Sequence, residues 1–200
     1  MAVNERLGIF GGTFDPPHVG HLVTAVNVRH ELGLDRVLLV VNGQPWQKLG
    51  TRVITSAEDR FALVEAAVGD VEGLEASRIE IDRPGMSYTA DTLAELGAVT
   101  PAPELFVILG TDAAAGLSTW ERVDEVRRAA TIVMVERPGS REVKPLEDWS
   151  WLRVEVPLLD VSSTDVRARV VDGRPLDYLL TPEVIACIQD RGLYRESIAS

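Results

Sequence analysis

Gly11-Gly12-Thr13-Phe14-Asp15-Pro16-Pro17-His18-Val19-Gly20-His21 joins a short apolar run, Leu7 to Phe10, to a helical pattern from about His18 to Leu32. The run reads as a buried strand and the periodicity that follows as a helix. A strand, a glycine turn and a helix start together offer backbone N–H groups to an anion. Gly11 and Gly12 allow close backbone approach. Pro16 and Pro17 precede the first helical turn, where a missing N–H costs nothing. His18 and His21 are three apart and share one helix face. Two imidazoles at a helix N-terminus suit a polyphosphate better than a metal.

Outward from this stretch, short apolar runs alternate with longer amphipathic ones. Strands are expected at Leu7–Phe10, Val37–Val41, Arg78–Ile81, Leu105–Leu109 and Thr131–Val135, with a weaker one at Val154–Pro157. Helices are expected at His18–Leu32, Ala57–Val68, Ala90–Leu96, Trp120–Ala129, Asp165–Val171 and Pro182–Asp190. The alternation implies a doubly wound parallel sheet covered on both faces. Pro138–Ser150 reads as a charged link. The expectation is one α/β domain over residues 1–200, with a small C-terminal helical portion at about 162–195.

Other phosphate-binding motifs are missing. No two glycines are separated by a single residue, which excludes the Gly-x-Gly-x-x-Gly fingerprint, and no Gly-Lys pair exists for a Walker loop. His-Glu-x-x-His is absent, and the single cysteine, Cys187, leaves few zinc ligands. Cys187 sits in an apolar helical run and reads as core. His30 lies about three turns beyond His18 and reads as an exposed helix residue.

Net charge is −11, which argues against a nucleic-acid surface. No N-terminal apolar segment is long enough for a signal peptide or a membrane span. A soluble cytoplasmic protein is the expectation. The sequence carries no statement on assembly, and a homo-oligomer is compatible with it.

Three further positions carry chemistry. Ser162-x-x-Asp165 reads as a capping box, and the same helix start, with Ser163, Thr164 and Arg167, is an anion site. Arg167 suits a bidentate phosphate contact. Lys48, one of only two lysines, follows the second strand and so faces the carboxyl-end crevice of a parallel sheet. Gly110-Thr111-Asp112 ends the strand Leu105–Leu109 on the same side, where Asp112 either caps a helix or accepts from a nucleotide.

The opening stretch resembles the signature of the nucleotidyltransferase superfamily with the His-x-Gly-His motif. Val161-Ser162-Ser163-Thr164-Asp165-Val166-Arg167 is similar to its Ile-Ser-Ser-Thr-x-x-Arg element. Ser87-Tyr88-Thr89-Ala90-Asp91-Thr92-Leu93 and Arg137-Pro138-Gly139 resemble segments of one branch, the bacterial nicotinate-mononucleotide adenylyltransferases. The resemblance runs from Leu7 to about Tyr194.

It implies a Rossmann-like fold and an enzyme of NAD biosynthesis that joins ATP to nicotinate mononucleotide. It implies ATP contacts from Gly11, Gly12, Thr13, Phe14, His18, His21, Gly110, Asp112, Arg137, Ser162, Ser163, Thr164 and Arg167. It implies nucleotide contacts from Thr13, Lys48, Tyr88, Thr89 and Trp120, with Trp120 as a stacking platform. His18, His21, Lys48 and Arg167 are the implied catalytic residues. Mg²⁺ is implied as a cofactor carried by the ATP phosphates, with no metal ligand in the protein. Where the family often has Pro-Pro-His before its lysine, this chain has Pro45-Trp46-Gln47. Sister transferases acting on nicotinamide mononucleotide or phosphopantetheine, and a nucleotide sensor without turnover, are the competing readings.

Overall fold

The computed structural model describes residues 4–43, 54–69, 71–99, 101–136, 149–157 and 159–195. Its strands are β1 (Arg6–Gly12), β2 (Arg36–Val41), β3 (Leu74–Ser77), β4 (Glu104–Gly110), β5 (Thr131–Glu136) and β6 (Trp151–Glu155). All pair in parallel, in the order β3-β2-β1-β4-β5-β6. The helices are α1 (Val19–Leu32), α2 (Ala57–Val68), α3 (Ile79–Asp82), α4 (Thr89–Gly97), α5 (Thr111–Ala115), α6 (Val123–Ala129), α7 (Ser163–Asp172) and α8 (Pro182–Asp190). The fold is a Rossmann-like doubly wound α/β sheet.

The side-chain period of two explains the doubly covered sheet. Val37, Leu39 and Val41 of β2 enter one apolar cluster with Val28 of α1 and Val64 of α2. Leu38 and Val40 enter the opposite cluster with Leu93 of α4 and Val126 of α6. Both faces are dry, so β2 is apolar without interruption. Each such buried Val or Leu contributes roughly 1.5–3 kcal/mol. A third cluster joins Leu63 and Ala67 of α2 to Val166 of α7 and Val184 and Ile188 of α8. That cluster seats the C-terminal helical portion. Cys187 is half-buried against it, and burial pushes its thiol pKa up.

Two sequence expectations need correction. Arg78–Ile81 is not a strand: the third strand is one step upstream, at Leu74–Ser77, and Ile79–Asp82 is helical. β3 is an edge strand with β2 as its one neighbour, so its apolar demand is light. Ile79 and Ile81 only imitate a strand alternation. The weak strand also lies upstream of its expected place, at Trp151–Glu155. The helix expected from Trp120 begins at Val123, because Arg122 takes a left-handed φ of 52° and a 3₁₀ turn fills Leu117–Thr119. Most of the expected link at Pro138–Ser150 lies outside the described residues.

β1 and β4 are neighbours whose chain connections leave toward opposite ends of the sheet. That is the topological switch point, where a parallel sheet opens a crevice at its carboxyl edge.

Candidate active site

A cavity of about 290 Å³ opens at that crevice. Ile9 of β1 and Val107 and Leu109 of β4 form apolar lining. Gly11, Gly12 and Thr13 line it at the end of β1. Tyr88 and Thr89, at the start of α4, and Trp120 also line it. A Cβ on Gly11 would meet nothing within 4 Å, so its backbone faces open space. Gly12 is different. A Cβ there would stand 2.7 Å from the Phe14 ring, and Phe14 itself has φ of 48° and is buried in the core. Glycine at 12 lets Phe14 fold back over the strand end.

His18 and His21 stand outside the cavity, at the start of α1. His18 is the N-cap in extended conformation rather than a first helical residue. The two rings nevertheless face each other with centroids 3.8 Å apart. Phe14 presents its edge to His21 at 5.1 Å. His21 Nδ1 accepts from the His18 backbone N–H at 3.1 Å, which places the neutral ring's proton on Nε2 and makes that atom a donor. A Cβ on Gly20 would crowd His18 Nδ1 and Val161 Cγ1 at 3.1 Å each. Glycine in His-x-Gly-His therefore permits the fit between α1 and the approach to α7.

The second motif folds onto the first. Ser162 Oγ accepts from Asp165 N–H at 3.1 Å, so Ser162 caps α7 and one donor of that turn is already engaged. Ser163 Oγ donates to the Pro16 carbonyl at 2.7 Å. Arg167 Nη1 donates to the Asp15 carbonyl at 2.7 Å and Nη2 to Thr164 Oγ1 at 3.2 Å. Tyr194 Oη donates to the buried Asp15 Oδ1 at 2.8 Å. Burial, then the Asp15 charge, pushes the Tyr194 phenol far above its usual range. The C-terminal portion thus straps Asp15 and Pro16 from three side chains. Tyr194→Phe keeps the ring and removes one strap. We expect a loss of about 1–2 kcal/mol in unfolding free energy, because buried Asp15 loses a charge-assisted partner. Urea denaturation checks it, and unchanged stability would mean that water replaces the hydroxyl at no cost.

The cytidylyltransferase-like family model matches residues 9–169. Relatives named "Probable nicotinate-nucleotide adenylyltransferase" match nearly end to end. The one from Saccharopolyspora erythraea is 43% identical over 196 residues, covering 98% of this chain and 92% of the relative. The one from Corynebacterium kroppenstedtii is 46% identical, covering 96% and 92%. The chain belongs to the nicotinate-nucleotide adenylyltransferase family. It is a nucleotidyltransferase. The solved structure of Plasmodium falciparum nicotinic acid mononucleotide adenylyltransferase complexed with NaAD shares the fold, at a TM-score of 0.77 and 17% identity, covering 98% of this chain and all of that one.

In this adenylyltransferase the motif residues fall in two adjoining groups. Gly11, Gly12, Thr13, Tyr88, Thr89 and Trp120 line the cavity. His18, His21, Ser163, Thr164 and Arg167 gather at the starts of α1 and α7. Gly110 ends β4 with open space where a Cβ would stand, and Asp112 follows it in α5. Lys48 and Arg137 lie outside the described residues. Sequence reasoning passed over Asn42, Glu80, Ser87 and Thr92, which also line the cavity, as does Glu121. Asn42 directly follows β2 on the carboxyl side, and that position was a usable signal. Ser87 and Thr92 lie inside a quoted motif. Ser87 Oγ accepts from Gly43 N–H at 3.0 Å, tying that motif to the end of β2. Arg122 pairs with Asp91, which ties the turn bearing Trp120 to α4. Among the described residues no group of three or more His, Cys, Asp or Glu is placed to hold a metal ion. No described helix is long and apolar enough to cross a membrane.

Proposed function

We propose that the chain transfers the adenylyl group of ATP to nicotinate mononucleotide, giving deamido-NAD and pyrophosphate, as a cytoplasmic step of NAD biosynthesis. The observation that carries this most directly is the union of two anion-binding helix starts. Ser163 and Arg167 bond to the carbonyls of Pro16 and Asp15, beside a cavity walled by Trp120 and Tyr88. One element alone is a helix cap. Two of them converging beside an aromatic cavity suit a triphosphate and a planar base.

The phosphate of the mononucleotide is the nucleophile. It is largely dianionic at neutral pH, so no general base is required. Its oxygen forms a bond to the α-phosphorus of ATP while the bond from that phosphorus to the bridging oxygen breaks. The electron pair leaves with pyrophosphate. His21 Nε2–H and His18 donate to the phosphate oxygens on which charge changes. Arg167, Ser163 and Thr164 hold the outer phosphates, with Gly11, Gly12, Thr13 and Phe14 presenting backbone and Ser162 keeping the helix start in place. Lys48 and Arg137 add positive charge, and Gly110 with Asp112 receives the adenosine. Mg²⁺ fits this donor set as an ion held through ATP oxygens and water, a habit of that cation. When bound it neutralises phosphate charge. The whole chain acts as one nucleotidyltransferase domain.

Release of pyrophosphate on mixing the protein with ATP and nicotinate mononucleotide tests the reaction. Absence of release would return the chain to a nucleotide sensor. We further expect the acid to be preferred over nicotinamide mononucleotide. The Thr89 hydroxyl and the Glu121 backbone N–H are the donors assigned to the carboxylate, the Trp120 N–H being engaged by the Leu117 carbonyl at 3.1 Å, and against such donors the amide's own NH₂ is left unpaired. Such a mismatch costs on the order of 1–3 kcal/mol, or about tenfold to a hundredfold in kcat/KM. Equal kcat/KM for the two, or a preference for the amide, would overturn the acid assignment and leave adenylyl transfer standing.

A further inference from the structure

Glu80 lines the cavity from α3 and is only 6% exposed. Its Oε1 accepts from Thr92 Oγ1 at 2.8 Å, and that hydroxyl in turn accepts from Arg83 Nη2 at 3.0 Å. Its Oε2 is buried and has no hydrogen-bond partner among the described residues. The lining holds a second acid, Glu121, and no lysine or arginine among the described residues. The other lining named above is the amide of Asn42 and otherwise apolar, aromatic, glycine or hydroxyl-bearing. A cavity of this make suits a flat cation: an aromatic wall and an under-partnered carboxylate both attract positive charge.

The ring of nicotinate mononucleotide carries such a positive charge on its nitrogen, which the ribose alkylates, and its carboxylate is the separate group assigned above to the hydrogen-bond donors. Its 1,4-dihydro form has the same substituents and no ring charge. We infer that Glu80 is a specificity-determining residue whose carboxylate pairs with the pyridinium charge, so that the cavity takes the oxidised ring in preference to the reduced one. The inference rests on the adenylyl transfer proposed above. The electrostatics of the protein groups agree with it. Burial raises the Glu80 pKa against the opposing pull of Thr92, Ser87 and Arg83, and Asp91 adds to the rise. A cation beside the carboxylate favours its charged form and so opposes the effect of burial.

The test measures pyrophosphate release with nicotinate mononucleotide and with its 1,4-dihydro form, at saturating ATP. Wild type is expected to favour the oxidised ring by about tenfold or more in kcat/KM. Glu80→Gln removes the charge at nearly constant shape, and is expected to shrink that ratio to within about twofold with the KM for ATP unchanged. Glu80→Asp keeps the charge and is expected to keep the preference. A wild-type ratio near one overturns the inference without any variant. An equal ratio in wild type and Glu80→Gln also overturns it, and leaves Glu80 as a support for the Ser87–Thr89 wall. No release from either ring form strikes at adenylyl transfer itself, whereas equal release from both strikes only at Glu80.

Discussion

We expect His21→Ala to lower turnover by about a hundredfold or more, while ATP affinity stays within a few-fold of wild type. The reason lies in how the ring is held before any ligand arrives. Nδ1 accepts from the His18 N–H, so Nε2 carries the proton. The His18 ring at 3.8 Å and the Phe14 edge at 5.1 Å fix its plane. A donor fixed in advance and aimed at charge that moves in the transition state contributes more there than in the ground state. Losing one such donor costs on the order of 3 kcal/mol. The substitution also removes the acceptor for the N-cap N–H, at roughly 0.5–2 kcal/mol of stability. Turnover is therefore read from pyrophosphate release at a temperature where both proteins are folded, with ATP binding titrated separately. A variant turning over near the wild-type rate would remove His21 from the chemistry. A variant with intact turnover and weak ATP binding would make it a ground-state ligand.

Arg60→Leu carries the largest expected loss of stability. Arg60 is 1% exposed in the middle of the fold. Its Nε donates to the Thr55 carbonyl at 2.9 Å, Nη1 to the Thr13 carbonyl at 2.9 Å and Nη2 toward the Gly43 carbonyl at 3.4 Å. One planar fork thus joins the lead-in to α2, the turn after β1 and the end of β2. Leucine fills part of the space and leaves three carbonyls without that donor. Each buried group so orphaned costs about 1–3 kcal/mol, and we expect a total of about 3 kcal/mol or more. Arg60→Lys recovers little, because a single ammonium cannot span the three acceptors in the geometry of the fork. Urea denaturation of both variants checks this. A loss below about 1 kcal/mol for leucine would mean that water reaches those carbonyls. Because Thr13 lines the cavity, we also expect a raised KM for the mononucleotide in whatever fraction of Arg60→Leu folds.

Much of the fold was legible along the chain, for a local reason. Strands covered on both faces need unbroken apolar runs, and β1, β2, β4 and β5 have them. Helices announce themselves by period, and Ala57–Val68 and Pro182–Asp190 lie where the pattern puts them. The two phosphate-type helix starts were legible too, because glycine, proline and serine at fixed spacing prescribe backbone geometry within a few residues. Edge strand β3 was not legible. With one neighbour it needs few apolar residues, and the alternating isoleucines after it drew the reading downstream.

What only the tertiary structure decided are the bonds between residues far apart. Sequence spacing marks Ser162 as the cap of its own helix, but nothing in it sends Ser163 to Pro16, 147 positions away. Arg60, Glu80 and Tyr194 read as ordinary polar residues. Each becomes consequential only because a carbonyl, hydroxyl or carboxylate from another element stands opposite it where little solvent exposure is left. The sequence by itself determined the layers, the turns and the starts of α1 and α7, since these follow from local backbone preference and the side-chain periods of helix and strand. Which polar side chains would be buried, and against what, follows from how those layers close on one another, and no local pattern encodes that.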